Sequence, residues 1–148
     1  MSIRETPARI LVVEDNPADI VWLRHALDQQ GEPYVLEVLA DGEAAIAFVD
    51  GHRTGSHDPQ PCVIVLDLHL PRYNGIEVLR AIKRAPVLSH IHVVMLSSRP
   101  NPSDEEAMAA LGAIFRLKPS RLIDCLELAC EILAICKGIT PLLTTATR

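Results

Sequence analysis

Five short apolar runs, each followed by a stretch that reads as a helix, constrain this chain more than any other feature. The runs are residues 9–13 (RILVV), 34–39 (YVLEVL), 62–67 (CVIVLD), 91–96 (IHVVML) and 113–117 (AIFRL). Their β-branched, nearly continuous apolar character predicts strands buried on both faces. The first helix opens at Asn16-Pro17, a cap followed by a proline suited to the first turn. It runs to about Gln30, with Ile20, Leu23 and Leu27 inward and Gly31 as its stop. Asp41-Gly42 leads into a second helix carrying Ala44, Ala45, Ile46, Phe48 and Val49, and a polar loop over residues 51–61 follows it. Asn74-Gly75 opens a third helix with Ile76, Val78, Leu79 and Ile82, which Pro86 keeps short. Pro100 and Pro102 extend the next loop, and Ser103 to Glu106 has capping-box spacing for a fourth helix ending at Gly112. A fifth helix spans residues 120–137, before Gly138. Such alternation implies an α/β fold, a parallel sheet covered on both faces with right-handed crossovers. The flavodoxin-like strand order 2-1-3-4-5 is one of two common outcomes for it.

A length of 148 residues suits one domain, and 49% hydrophobic residues suffice for its core. Aromatics are only 3%, so aliphatic packing must dominate. A net charge of -5 without a basic run argues against nucleic-acid or anionic-membrane binding. No apolar run approaches the roughly 18–20 residues that span a bilayer, and the N-terminus lacks a signal-peptide pattern. These features place the chain in the cytoplasm. The four cysteines form no CxxC pair and read as small buried hydrophobes, in keeping with that compartment.

The residues that close the strands carry the chemistry. Strand one ends in Glu14-Asp15, strand three in Asp67, strand four in Ser97 and strand five in Lys118. In a parallel sheet these ends face the same way, beside the switch point between strands one and three. Crowded carboxylates repel unless a cation sits among them, and hard oxygens with no His or thiolate competitor suit Mg²⁺. A carboxylate nucleophile beside Mg²⁺, with an ammonium and a hydroxyl to hold phosphoryl oxygens, is equipped for phosphoryl transfer. Taken singly, each residue is equally well a helix cap or a surface ion pair; the convergence is what points to a site.

The segments VVEDN (12–16), IVLDLHLPRYNG (64–75), VVMLSS (93–98) and FRLKP (115–119) together resemble the receiver domain of two-component response regulators. The resemblance covers about residues 8–137 and leaves 138–148 as a tail. It implies a doubly wound (βα)₅ fold in which Asp67 accepts a phosphoryl group from a histidine kinase in a phosphorelay. It implies Mg²⁺ held by Asp15, Asp67 and the backbone carbonyl of His69, with Glu14 acting through a metal-bound water. Ser97 would move toward the phosphoryl group, Lys118 would pair with it, and Phe115 would swing inward as the aromatic switch. It also implies a cis peptide at Lys118-Pro119. With no output domain expected, signalling would run through phosphorylation-dependent protein binding, not through an enzymatic activity of its own. A narrower similarity is to small stand-alone regulators that partner bacterial phytochrome-type histidine kinases.

Several positions depart from the commonest family pattern. Glu14 stands where many members have aspartate, and Ser97 where threonine is usual. His69, two residues past the phosphoacceptor, has an imidazole that would overhang the phosphoryl group; it either alters the group's lifetime, by aiding or hindering water, or faces solvent with no kinetic role. Two rival functions stay open on the sequence: a receiver-shaped scaffold that is never phosphorylated, and a metal-dependent phosphatase with Asp67 as nucleophile. Dehalogenase-like phosphatases need an aspartate where His69 stands. The last helix, with Leu122, Ile123, Leu126, Ala129, Cys130, Ile132, Leu133, Ile135 and Cys136, is apolar over more than one stripe, which points to a homodimer interface. His90 and His92 are weak metal candidates and read as surface residues.

Overall fold

The computed structural model describes residues 6–52, 59–99 and 101–139. Its elements run β1 (Ala8–Val13), α1 (Pro17–Asp28), β2 (Tyr34–Leu39), α2 (Gly42–Gly51), β3 (Val63–Asp67), α3 (Gly75–Arg84), β4 (His92–Ser97), α4 (Pro102–Ala110), β5 (Ile114–Leu117) and α5 (Leu122–Cys136). All strand pairings are parallel and the order is β2-β1-β3-β4-β5, as the alternation implied. The tail over residues 140–148 and most of the loop before β3 lie outside the described residues.

Strand periodicity assigns side chains to two separate cores. Leu11, Val13, Ile64, Leu66, Val93 and Met95 point to the face covered by α2, α3 and α4. Ile10, Val12, Val63, Val65, Val94 and Leu96 point to the face covered by α1 and α5. Strand β3, and β4 past its exposed first residue His92, are buried on both faces, so they carry no polar alternation until their last residues. Continuing the period of two, Glu14, Asp67 and Lys118 fall on the α1/α5 side, whereas Ser97 and Phe115 fall on the α4 side.

The helix signals held with local exceptions. Asn16 caps α1 through the amide of Ala18, and Asn74 with Glu77 forms a capping box on α3. In α1, Leu23, Ala26 and Leu27 are buried and Ile20 only partly so, while Trp22 is half exposed. The fourth helix starts earlier than its Ser103–Glu106 spacing implied. Asn101 is the cap, accepting from the amide of Asp104, and Pro102 opens the first turn instead of extending the loop. A proline lacks only an amide that the first turn leaves unpaired anyway, so Asn101-Pro102 outcompetes Ser103 as a start.

Three other expectations need correction. The Lys118–Pro119 bond is trans, and no described residue has a cis peptide. Trans is the lower-energy isomer even before proline, and Lys118 reaches its partners from it. The cysteines are not uniformly buried hydrophobes: Cys62 and Cys136 form a disulfide, Cys125 is buried and Cys130 is exposed. Spacing along the chain could not reveal that pair, which the fold brings together across 74 residues. The apolar surplus on α5 is also smaller than its composition implied. Cys125, Leu128, Ala129, Ile132, Leu133 and Ile135 are buried, leaving Leu122 and Ile123 in the first turn as its exposed large apolar groups. This helix packs on both the sheet and α1, so more than one stripe is covered. Among the described residues, no helix is long and apolar enough to cross a membrane.

Gly75 sets the geometry of the loop after β3. A Cβ there would stand 2.6 Å from the carbonyl oxygen of Asp67 and 2.7 Å from the Cα of Leu68, both backbone atoms that cannot swing aside. Gly75→Ala should therefore lower stability by about 1–3 kcal/mol, as overpacking does. Urea unfolding checks this, and a midpoint equal to that of the wild type would show that the loop relaxes freely.

Candidate functional site

The carboxyl ends of β1, β3 and β5, with the first turn of α1, bring three acidic groups around one ammonium. The Nζ of Lys118 lies 3.0 Å from Oε1 of Glu14, 2.8 Å from Oδ2 of Asp19 and 3.0 Å from Oδ2 of Asp67. The strand ladders fix this convergence. The amide of Glu14 continues β1 onto Leu39, that of Leu68 continues β3 onto Leu96, and that of Lys118 continues β5 onto Ser97. Register therefore holds the three strand ends level, and each contributes its side chain to one crevice.

Asp67 is buried and both of its carboxylate oxygens are engaged. Oδ1 accepts from the backbone amide of His69 at 3.0 Å, and Oδ2 accepts from Lys118. Glu14 is buried too, and its Oε2 accepts from the amide of Asn16 at 3.0 Å. Asp15 is exposed at the rim. Carboxylate oxygens of Glu14, Asp15 and Asp67 all lie within 4.8 Å of one another. Four carboxylates against one ammonium leave the crevice negative. All the side-chain donors in this cluster are hard oxygens, a set that fits Mg²⁺ or Mn²⁺ better than a thiophilic metal.

Burial pushes the Glu14 carboxyl up to about 7, against the pull of the Asn16 amide and Lys118, and the charge of Asp67 adds to the rise. Lys118 behaves in the opposite sense. Burial alone would lower it, but hydrogen bonds to Asp19, Asp67 and Glu14 outweigh that and raise it above the usual lysine range. Its charge is therefore fixed at neutral pH.

Ser97 is fully buried on the other side of Asp67's strand. Its Oγ accepts from the amide of Arg99 at 3.1 Å and lies 3.3 Å from Nε2 of His69. The imidazole of His69 thus reaches across the crevice to the hydroxyl. Phe115 pairs in register with Met95 and packs, half buried, against the core under α3 and α4.

The structure brings Glu14, Asp15, Asp67, Ser97, His69 and Lys118 to one end of the sheet, with Phe115 behind them. Sequence reasoning passed over Asp19. Its signal was an acidic residue three positions past the Asn16 cap, which reads as an ordinary complement to the helix dipole. Only the packing of α1 turns it toward Lys118. His90 and His92 join no cluster of metal-binding side chains among the described residues.

Comparison with known proteins agrees with this geometry. The family model of the response regulator receiver domain matches residues 10–126. Response regulator Rcp1 of Synechocystis sp. is 38% identical over 115 residues, 78% of this chain and 78% of that protein. The crystal structure of the phosphorylated cyanobacterial phytochrome response regulator RcpA superposes with a TM-score of 0.79 at 30% identity, covering 94% of this chain and 100% of that one. The Mn²⁺-bound form of response regulator Rcp1 superposes with a TM-score of 0.75 at 34% identity, covering 95% and 98%. Other curated relatives are matched over 22–64% of their own length, so the likeness to them is confined to the shared domain.

A pH dependence follows from Glu14. Folding raises its pKa from 4.5 to about 7, so between those values the folded state keeps a proton that the unfolded chain has released. Stability of the metal-free protein should then fall as pH rises through that window. Urea unfolding in chelator at pH 5 and pH 7.5 checks this. Glu14→Gln should flatten the difference, and an unchanged slope in the variant would assign it to another group.

Proposed function

We propose, for a chain that belongs to the response regulator receiver domain family, that Asp67 accepts a phosphoryl group from a histidine kinase and that the resulting acyl phosphate switches protein binding. The observation that carries this reading is the buried Asp67 carboxylate held by Lys118 at 3.0 Å within the acidic crevice. An oxygen of Asp67 attacks phosphorus, the bond from phosphorus to the donor's imidazole nitrogen breaks, and that nitrogen keeps the electron pair. Lys118 leaves its contact with the ground-state carboxylate to pair with a phosphoryl oxygen, where negative charge accumulates. The amide of His69 continues to hold the other oxygen of Asp67 and so orients the nucleophile.

Asp15 and Asp67 are the proposed direct ligands of Mg²⁺, with the carbonyl of His69 completing the protein's share and Glu14 contributing through a water. When bound, Mg²⁺ neutralises charge on the phosphoryl oxygens. Ser97 must give up its contact with His69 to donate to a phosphoryl oxygen, and its movement opens space for Phe115 on the α4 side. His69 thereby influences how long the phosphoryl group survives. The relatives named phytochrome response regulators support a phytochrome-type kinase as the donor, in the cytoplasm. We read the chain as a signalling protein without an enzymatic product of its own. Should the regulator also pair with itself through α5, Leu122 and Ile123 are the exposed apolar groups on that helix for the contact.

Incubation with acetyl phosphate and Mg²⁺, followed by intact mass, tests the proposal. One added phosphoryl group that decays over minutes is expected, absent in Asp67→Asn and without Mg²⁺. Lack of an adduct in the wild type would leave a binding scaffold, and steady hydrolysis of many phosphate esters would indicate a phosphatase. In the same assay His69→Asn should change the decay rate, and an unchanged rate would remove the imidazole from the kinetics.

A further inference from the structure

The phosphoryl-transfer crevice does not use the opposite end of the sheet, where Cys62 and Cys136 meet. Cys62 directly precedes β3, the strand that ends at Asp67, and Cys136 is the last residue of α5. Their Cα atoms are 5.1 Å apart, inside the range a disulfide spans without moving the backbone. Both residues are only half buried, so solvent species reach them. They line a cleft of about 390 Å³ together with Arg9, Glu32 and Lys137. Lys137 is paired with Glu32 across that cleft at 2.6 Å, and Arg9 is exposed beside it. The cleft offers room and positive charge next to the sulfurs. By contrast Cys125 is buried under α1 and the sheet, where burial pushes its thiol up, away from the reactive thiolate.

We propose that Cys62 and Cys136 form a reversible thiol–disulfide site whose exchange partner is a small anionic thiol or its disulfide, of the glutathione class. In oxidation, one cysteine thiolate attacks the small-molecule disulfide, forming a mixed disulfide and releasing one thiolate. The second cysteine thiolate then attacks the protein-bound sulfur and expels the second small thiolate. The two cysteines lose two electrons and two protons, and the small disulfide gains both. Oxidation ties the end of α5 to the start of β3 and closes a loop of 74 residues, so it restrains the unfolded chain strongly. The bond therefore sets how firmly α5, which begins just past Lys118, is fastened to the sheet that carries Asp67.

The test equilibrates the full chain in buffers of defined reduced-to-oxidised glutathione ratio, quenches with acid, alkylates under denaturing conditions and maps the peptides. In oxidising buffer a linked Cys62–Cys136 peptide is expected with Cys125 and Cys130 alkylated; in excess reduced glutathione all four are alkylated. Thermal unfolding should fall by roughly 5–15 °C on reduction. Cys62→Ser and Cys136→Ser should each abolish the redox-dependent shift, and Cys130→Ser should keep it. Three results would overturn the proposal: free Cys62 and Cys136 at every ratio, a bond that survives excess reduced glutathione, or a bond that pairs Cys130 instead.

Discussion

The architecture of the site depends on one ammonium shared among three carboxylates. Lys118 holds Glu14, Asp19 and Asp67 within 3.0 Å, and each comes from a different element. Without that positive charge the carboxylates would repel one another in a crevice where two of them are buried. The arrangement is stable and also poised. Lys118 occupies ground that a dication or a phosphoryl group would contest, so binding either one redistributes contacts that already exist. Burial raises the pKa of Glu14 in spite of its contact with Lys118, and the charge of Asp67 adds to the rise.

The sheet makes such a cluster possible because it separates duties between its two faces. Period-two alternation sends Asp67 and Lys118 toward α1 and α5, and sends Ser97 and Phe115 toward α4. Asp67 and its charge partners thus sit on one side, and the Ser97 hydroxyl and the Phe115 ring sit on the other. His69 spans the divide, with its amide on Asp67 and its imidazole near Ser97. A change at the carboxylate therefore has a short covalent and hydrogen-bonded route to the opposite face.

Much of this was legible in the sequence for a physical reason. Parallel strands buried on both faces must be continuous apolar runs, so the polar residue ending each run marks the crevice. Asp67, Ser97 and Lys118 announce themselves in that way, and alternation narrows the strand order to two common outcomes. What stayed hidden depends on contacts across the chain. Asp19 looks like a helix-dipole residue until α1 packs against β5's end. Cys62 and Cys136 are 74 positions apart and carry no motif. The apolar breadth of α5 is indistinguishable, in sequence, from an unpartnered face, whereas α1 covers part of it. The start of α4 turned on competition between two adequate caps, which composition does not decide.

Calorimetric titration of Mg²⁺ into the wild type, Lys118→Met and Asp67→Asn tests the electrostatic balance most directly. If the lysine charge offsets an acidic crevice that takes a dication, Lys118→Met binds Mg²⁺ more tightly than the wild type and Asp67→Asn more weakly. Equal affinities in all three proteins would contradict the account, because the ammonium and the carboxylate would then have no part in a common metal site.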